Sequence, residues 1–340
     1  MNPSMKCKAP VTGLLASTVV TLGLSTGLLA HAEYNDPIDI PARVYPSSVY
    51  SLLLDATVTS ERTIVAGERG HILYSDDNGE NWTQAEVPSS LGLNALTMAN
   101  DHVGWAVGED QLILKTTDGG KSWQHQYDGR DADTKGPLLD VVFKNENEGL
   151  AVGVYNRVVH TTDGGKTWED ATDRVDNLDE WHLFSISAAD ENNLYIASEM
   201  GLIFKSTDGG ESFTEIQTDH DGSFHGLLTR KAPSGEDSLL LFGVGGIVYT
   251  SPDSGQSWNQ VDTGIGSGLA GGAFLDDGSA VVVGMEGVVM KLELASSQVL
   301  ALHLIDNGLP LNAVVQNEDK LILAGLGGIQ IVETKVIEAE

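Results

Sequence analysis

"TTDGGKTW", residues 161–168, gathers a carboxylate, two adjacent glycines, a lysine and a tryptophan within eight positions. Such a density is usual at a binding site, and whether it marks one here depends on how often the phrase occurs. It recurs as "SDDNGENW" (75–82), "TTDGGKSW" (116–123), "STDGGESF" (206–213) and "SPDSGQSW" (251–258). Its aromatic residue falls at Trp82, Trp123, Trp168, Phe213 and Trp258, at spacings of 41, 45, 45 and 45, which makes the chain a repeat protein.

A second motif precedes each phrase: an apolar run, a glycine, two free positions and another apolar run, as in "AVGVYNRVV" and "LFGVGGIVY". Its first glycine stands at Gly67, Gly108, Gly153, Gly243, Gly284 and Gly325, with Ser198 as the one substitution, so the motif counts seven units where the phrase counts five. Each unit has room for four short strands, here called A to D from the axis outward. The glycine element makes the B–C hairpin, where glycine permits the positive φ of a tight turn, and the phrase makes the C–D turn. Strands B and C are almost continuously apolar, for example "LLLFGVGGIVY" (239–249), so both faces of each sheet must be covered. The reading is all-β: a seven-bladed β-propeller with four-stranded blades, in one domain over residues 33–340. The seventh unit has too few residues left for its strand D, and "IDIPARVY" (38–45) is unassigned. That segment is expected to close the ring as the outer strand of blade seven, an edge where Pro41 is tolerable.

At the N-terminus, Lys6 and Lys8 precede the small and apolar run Val11 to Ala30, and Ala30-His31-Ala32 fits a small-x-small cleavage site. Residues 1–32 read as a secretory signal peptide cleaved near Ala32, which directs the chain to the periplasm or a thylakoid-lumen-like compartment; the alternative is a retained membrane anchor. Cys7, the one cysteine, leaves with the peptide, so the mature chain has no thiol. Against 19 basic residues stand 49 acidic ones, and the net charge of −30 becomes −32 when Lys6 and Lys8 leave. A surface of that sign repels phosphate backbones and anionic lipid, which sets aside nucleic acid and direct anionic-lipid binding.

The phrase has the form S/T-x-D-x-G-x-S/T-W, the Asp-box or BNR signature, and five copies over seven units resemble the photosystem II assembly and stability factor family of propellers, across residues 38–333. The resemblance implies a non-catalytic exported scaffold that holds a membrane or envelope protein during assembly. The family's basic docking residues are not carried over, because this chain has seven arginines in all and an acidic balance. Five copies at equivalent turns exceed what one active site can use, so the residues of the phrase are framework: Asp77, Gly79 and Trp82; Asp118, Gly120 and Trp123; Asp163, Gly165 and Trp168; Asp208, Gly210 and Phe213; Asp253, Gly255 and Trp258. The aromatics are expected to fill space between blades. No helix follows the glycine pairs, so they are not a phosphate loop.

Recognition is expected on the opposite face, where the B–C turns and the D-to-A connections emerge. Two long connections, "YDGRDADTKGP" (127–137) and "TDRVDNLDEW" (172–181), stand out there. The partner-binding candidates are Arg69 and Arg157, read as matching B–C turn residues, with Tyr155, Trp181, Arg130 and Arg174. The expected partner is a protein, the chain a monomer, and no cofactor or metal is called for; the cluster His220, Asp221 and His225 is a weak metal pattern. The alternative is a secreted glycan-active hydrolase of the sialidase type, which would need three arginines converging on a carboxylate, or two carboxylates facing each other in a closed axial pocket. Only "PARVYP" (41–46) is faintly similar to a sialidase segment.

Overall fold

The computed structural model describes residues 35–132, 135–232 and 234–338, so the expected signal peptide and Cys7 lie outside the described residues. Residues 35–338 form a seven-bladed β-propeller. Six antiparallel sheets have four strands and the seventh has three, each built from consecutive strands. Strand A of each blade packs against strand A of the blades before and after it, the first against the seventh included.

The B strands, such as Gly149–Gly153 of blade three and Ala280–Gly284 of blade six, are buried along their whole length, which is what their unbroken apolar sequence requires. The core is therefore a set of layers between blades. Leu150 and Val152 of blade three, for example, pack with Leu183, Ile196 and Phe204 of blade four.

In every blade the A–B register slips at the start of strand A, leaving Leu54, Asn94, Leu139, Phe184, His225, Ala270 and Asn312 unpaired at equivalent bulges. The motif's first glycine sits opposite this bulge. It does not adopt the positive φ expected of it: Gly67 has φ −176°, ordinary extended backbone. A Cβ there would come within 2.2 Å of the Leu52 carbonyl oxygen, so the close approach of strand A selects glycine. Ser198 resolves the same contact differently, its Oγ donating to the His182 carbonyl at 2.7 Å. Positive φ belongs to the next positions of the turn, such as Arg69 (58°) and Gly70 (69°).

Ring closure also differs from expectation. Residues 38–45 form no strand of the seventh sheet, whose three strands are Leu311–Asn317, Lys320–Gly325 and Gly328–Glu333. The segment instead runs along the outside of blade one: Ala42 N donates to Val87 O, Ser90 N to Pro37 O, and Tyr45 N to Gln84 Oε1. Pro37, Pro41 and Pro46 deprive it of regularly spaced N–H donors, and Ile38, 2% exposed, is fixed in the core shared by blades one and two. Beside blade seven, two short 3₁₀ turns take the outer positions. Ser48–Tyr50 packs on its last strand, and Thr334–Ile337 lays buried Ile337 into the layer between blades six and seven.

Candidate partner-docking face

Each Asp-box closes on itself. In blade three the Asp163 carboxylate accepts from the Thr161 hydroxyl (2.9 Å) and from the Thr167 N–H and hydroxyl (3.0 and 2.8 Å), while Gly165 N donates to Thr161 Oγ1 (2.9 Å). Asp77, Asp118, Asp208 and Asp253 repeat the pattern. The Thr167 N–H, then its hydroxyl, hold the Asp163 carboxyl down at about 2. At Asp208 burial pushes the other way, and the hydroxyls of Ser212 and Ser206 with the Ser212 N–H outweigh it, again giving about 2. The second glycine turns toward the preceding blade: a Cβ on Gly120 would strike Ile64 of blade one, and on Gly165, Trp105 of blade two. The aromatics lie in these same layers, Trp82 between blades seven and one, Trp123 between one and two, Trp168 between two and three, Phe213 between three and four, and Trp258 between four and five. The five copies occupy five separate seams.

The opposite face carries the B–C turns, and they are not alike. Blades one and two present charge, with Glu68, Arg69, Glu109 and Asp110. Blades three to seven each present an exposed apolar side chain: Tyr155 (54% exposed), Met200 (47%), Val244 (50%), Met285 (45%) and Leu326 (50%). Because the turn repeats once per blade, these five form a crescent around the mouth of the axial channel. Tyr155 and Met200 hold φ near 55° with side chains attached, so the hairpin fixes where they project.

The channel beneath has a volume of about 320 Å³ and is lined by the bulge residues of all seven A strands. No arginine lines it, but two carboxylates do, Asp55 and Asp140. Asp55 Oδ1 accepts from Ala56 N (2.8 Å) and Oδ2 from Leu96 N of blade two (2.7 Å). Asp140 accepts likewise from Val141 N, and from Ile186 N and Ser185 Oγ of blade four. Burial pushes Asp55 up to about 7, the Leu96 and Ala56 N–H groups opposing and the Asp140 charge adding; burial pushes Asp140 up to about 6 against its hydrogen bonds. Phe184 and His225 face each other in the channel with ring centroids 5.0 Å apart, and burial holds His225 below its usual range.

The six partner-binding candidates separate. Arg69 is exposed at the B–C turn of blade one, its Nε 4.0 Å from Glu68. Counting from the first glycine, its counterpart in blade three is Tyr155, not Arg157. Arg157 is buried, donating to Gln111 Oε1 (2.8 Å) and Tyr127 OH (3.1 Å) and pairing with Asp170, so it ties blade three to blade two. Arg130 bonds Asp128 and Asp39 and thereby fastens the connection 127–137 to the N-terminal segment. Arg174 donates to Gly210 O at the Asp-box turn of blade four. Trp181 is half-buried against the layer between blades three and four, with its carbonyl accepting from Asn156 N and Asn177 Nδ2. Tyr155 alone joins the crescent. Among the described residues no group of three or more His, Cys, Asp or Glu side chains is placed to hold a metal ion.

The sequence reading missed Met200, Val244, Met285 and Leu326, and also Asp55 and Asp140. The crescent had a signal, since each of its members is one or two positions after the motif's first glycine or serine; the acids share "LLD" at 53–55 and 138–140.

Comparison with known proteins gives a consistent picture. The family model described as "Photosynthesis system II assembly factor YCF48" matches residues 124–287, and the BNR/Asp-box repeat model matches residues 73–84. No curated protein matches the chain in sequence. Among solved structures, "YCF48 bound to D1 peptide" has a TM-score of 0.65 at 16% identity, covering 88% of this chain and 97% of that one. YCF48 from Cyanidioschyzon merolae has a TM-score of 0.64 at 15% identity, covering 86% and 97%. Virginiamycin B lyase from Staphylococcus aureus has a TM-score of 0.68 at 14% identity, covering 83% and 94%. At such identities the structures speak for the fold alone, and in motif, blade count and fold the chain is a BNR-type β-propeller that resembles the photosystem II assembly factors.

Proposed function

We propose that the chain is a non-catalytic, exported scaffold that docks a membrane or envelope protein on the face bearing the B–C turns, in the manner of an assembly factor. The observation that carries this reading is the crescent of Tyr155, Met200, Val244, Met285 and Leu326, exposed on five consecutive blades. Each is about half exposed and leaves apolar surface in water that would be worth about 1 kcal/mol if buried, and the fold gains nothing from leaving it there. The similarity to YCF48 supports the reading, since one such structure is of YCF48 bound to a D1 peptide. Export rests on the pattern of residues 1–32, and fractionation of the native cell with the intact chain tests it: recovery in the cytoplasm would overturn that part.

A hydrolase needs free catalytic groups. The two carboxylates that do line the channel have both oxygens engaged by backbone N–H groups of their own and the neighbouring blade. The docking reading is tested by crosslinking in the native envelope with Met200→Asp and Met285→Asp combined. The expected result is loss of the crosslinked partner with unchanged melting; undiminished crosslinking would overturn the reading.

A further inference from the structure

At the end of the crescent, between blades three and four, exposed apolar surface meets carboxylates that enter no ion pair among the described residues. Leu178, in the connection 171–182, is 93% exposed, and with Tyr155 it borders a cavity of about 630 Å³ that Asp173, Asp176 and Glu180 also line. Asp170 also lines the cavity and is paired with buried Arg157, Arg174 pairs with Glu211, and Asp173, Asp176 and Glu180 enter no ion pair among the described residues.

The cleft is held open by buried amides. Asn177 Nδ2 donates to Asn156 Oδ1 (3.0 Å) and to Trp181 O (2.9 Å), and its Oδ1 accepts from Trp181 N (3.1 Å). Asn156 Nδ2 in turn donates to the carbonyls of Thr172 and Val175. The loop therefore presents Leu178 and Tyr155 in a fixed relation, so that little ordering remains to be done on binding.

We propose that this cleft receives an extended segment of the partner in which a lysine or arginine stands beside an apolar residue, an inference that rests on the docking reading above. The apolar neighbour covers Leu178, and the cation lies among Asp173, Asp176 and Glu180 with the Tyr155 ring available to its face. A metal ion is the weaker occupant, since these carboxylates do not gather into a metal-holding group among the described residues. The net charge of −30 speeds the approach of such a segment from outside the cleft.

The probe is an acetylated and amidated peptide of alternating lysine and leucine, titrated calorimetrically at about 0.15 M salt, where the screening length is ~8 Å. Its counterpart of alternating glutamate and leucine is the charge control. The intact protein should bind the lysine peptide saturably at one site. Combining Asp173→Asn, Asp176→Asn and Glu180→Gln should weaken binding by about tenfold or more, and Leu178→Ser should weaken it as well. A second triple with the same change of charge, Glu61→Gln, Glu191→Gln and Glu215→Gln at exposed positions outside the cleft, should cost less than about twofold. Equal weakening by both triples, or equal binding of the glutamate peptide, would overturn the inference in favour of general attraction to an acidic surface. Crosslinking separates the two readings. If the Met200/Met285 pair abolishes the native crosslink and the cleft triple leaves it intact, the cleft inference fails alone; if the cleft triple abolishes peptide binding while the Met200/Met285 pair leaves the crosslink intact, the docking reading fails alone.

Discussion

Asp163 and Asp55 are both aspartates that accept backbone N–H groups, and the fold drives them in opposite directions. Asp163 sits at the rim, where hydrogen bonds led by the Thr167 N–H hold its carboxyl at about 2. A depressed carboxyl contributes stability that is present above its unfolded value near 4 and lost as pH falls toward 2. Asp163→Asn should therefore flatten the acid limb of a denaturation series between pH 4 and 2 relative to the parent; parallel limbs would show that the turn does not depend on the ionised form. Asp55 lies at the axis, where burial dominates and the carboxyl rises to about 7. The sign reverses: its contribution is most favourable below pH 4 and declines as pH rises through 7, by at most about 4 kcal/mol if the whole shift is realised. Denaturant unfolding should show the parent losing more stability than Asp55→Asn between pH 5 and 8, and an identical decline in both would count against burial as the cause. The role of Asp163 was legible because its phrase recurs five times, which one site could not use. Asp55 was not, because a single acid in a chain with 49 of them becomes distinctive only when its strand is seen to turn it into the axial channel.

At the scale of elements, strand B was legible because it is almost wholly buried and almost unbroken in apolar sequence, and strand C because its apolar run is broken only toward its far end, as by Lys115, His160 and Lys205. The N-terminal segment was not: a partner across the ring, at blade seven, was expected, and it lies instead on blade one, the next unit in sequence. Residues 38–45 look like an edge strand, yet Pro37, Pro41 and Pro46 leave them fit only for isolated hydrogen bonds, and Ile38 draws them to blade one. The physical role is then a plug for the outer end of one seam. Ile38→Ala should cost about 2–4 kcal/mol in chemical denaturation, as for a large-to-small change in a full core, while Val44→Ala, at a position 70% exposed in the same segment, should be close to neutral. Similar losses at both positions would point to ladder pairing of the whole segment. Among the arginine candidates, Arg69 is exposed and Arg157 is engaged inside the fold. Spacing along the chain does not say whether a cation faces water, and Arg157 found its acceptors in Gln111 of the B–C turn of blade two and Asp170 of its own blade.

For the whole molecule, the count of seven was legible from one repeated glycine, but the way the ring shuts was not, since closure is a property of the seam between the last blade and the first. That seam is built like the one between blades two and three. Asn312 Nδ2 of blade seven donates to Leu53 O of blade one at 2.8 Å, and at the equivalent bulge Asn94 Nδ2 of blade two donates to Leu138 O of blade three at 2.8 Å. Apolar layers back both, Leu53, Val65 and Leu73 meeting Ala313 and Ala324 at the closing seam, and Ala95 and Val107 meeting Leu138 and Val141 at the internal one. In an open solenoid a terminal contact can be lost locally, because nothing beyond it depends on it. In a closed ring, opening any one seam exposes two faces and frees the blades on either side of it. Asn312→Ala and Asn94→Ala should therefore cost the same, about 1–3 kcal/mol each, and both should leave a single unfolding transition by fluorescence and by circular dichroism. A biphasic transition confined to Asn312→Ala would identify the closing seam as a weak point that frays before the ring unfolds.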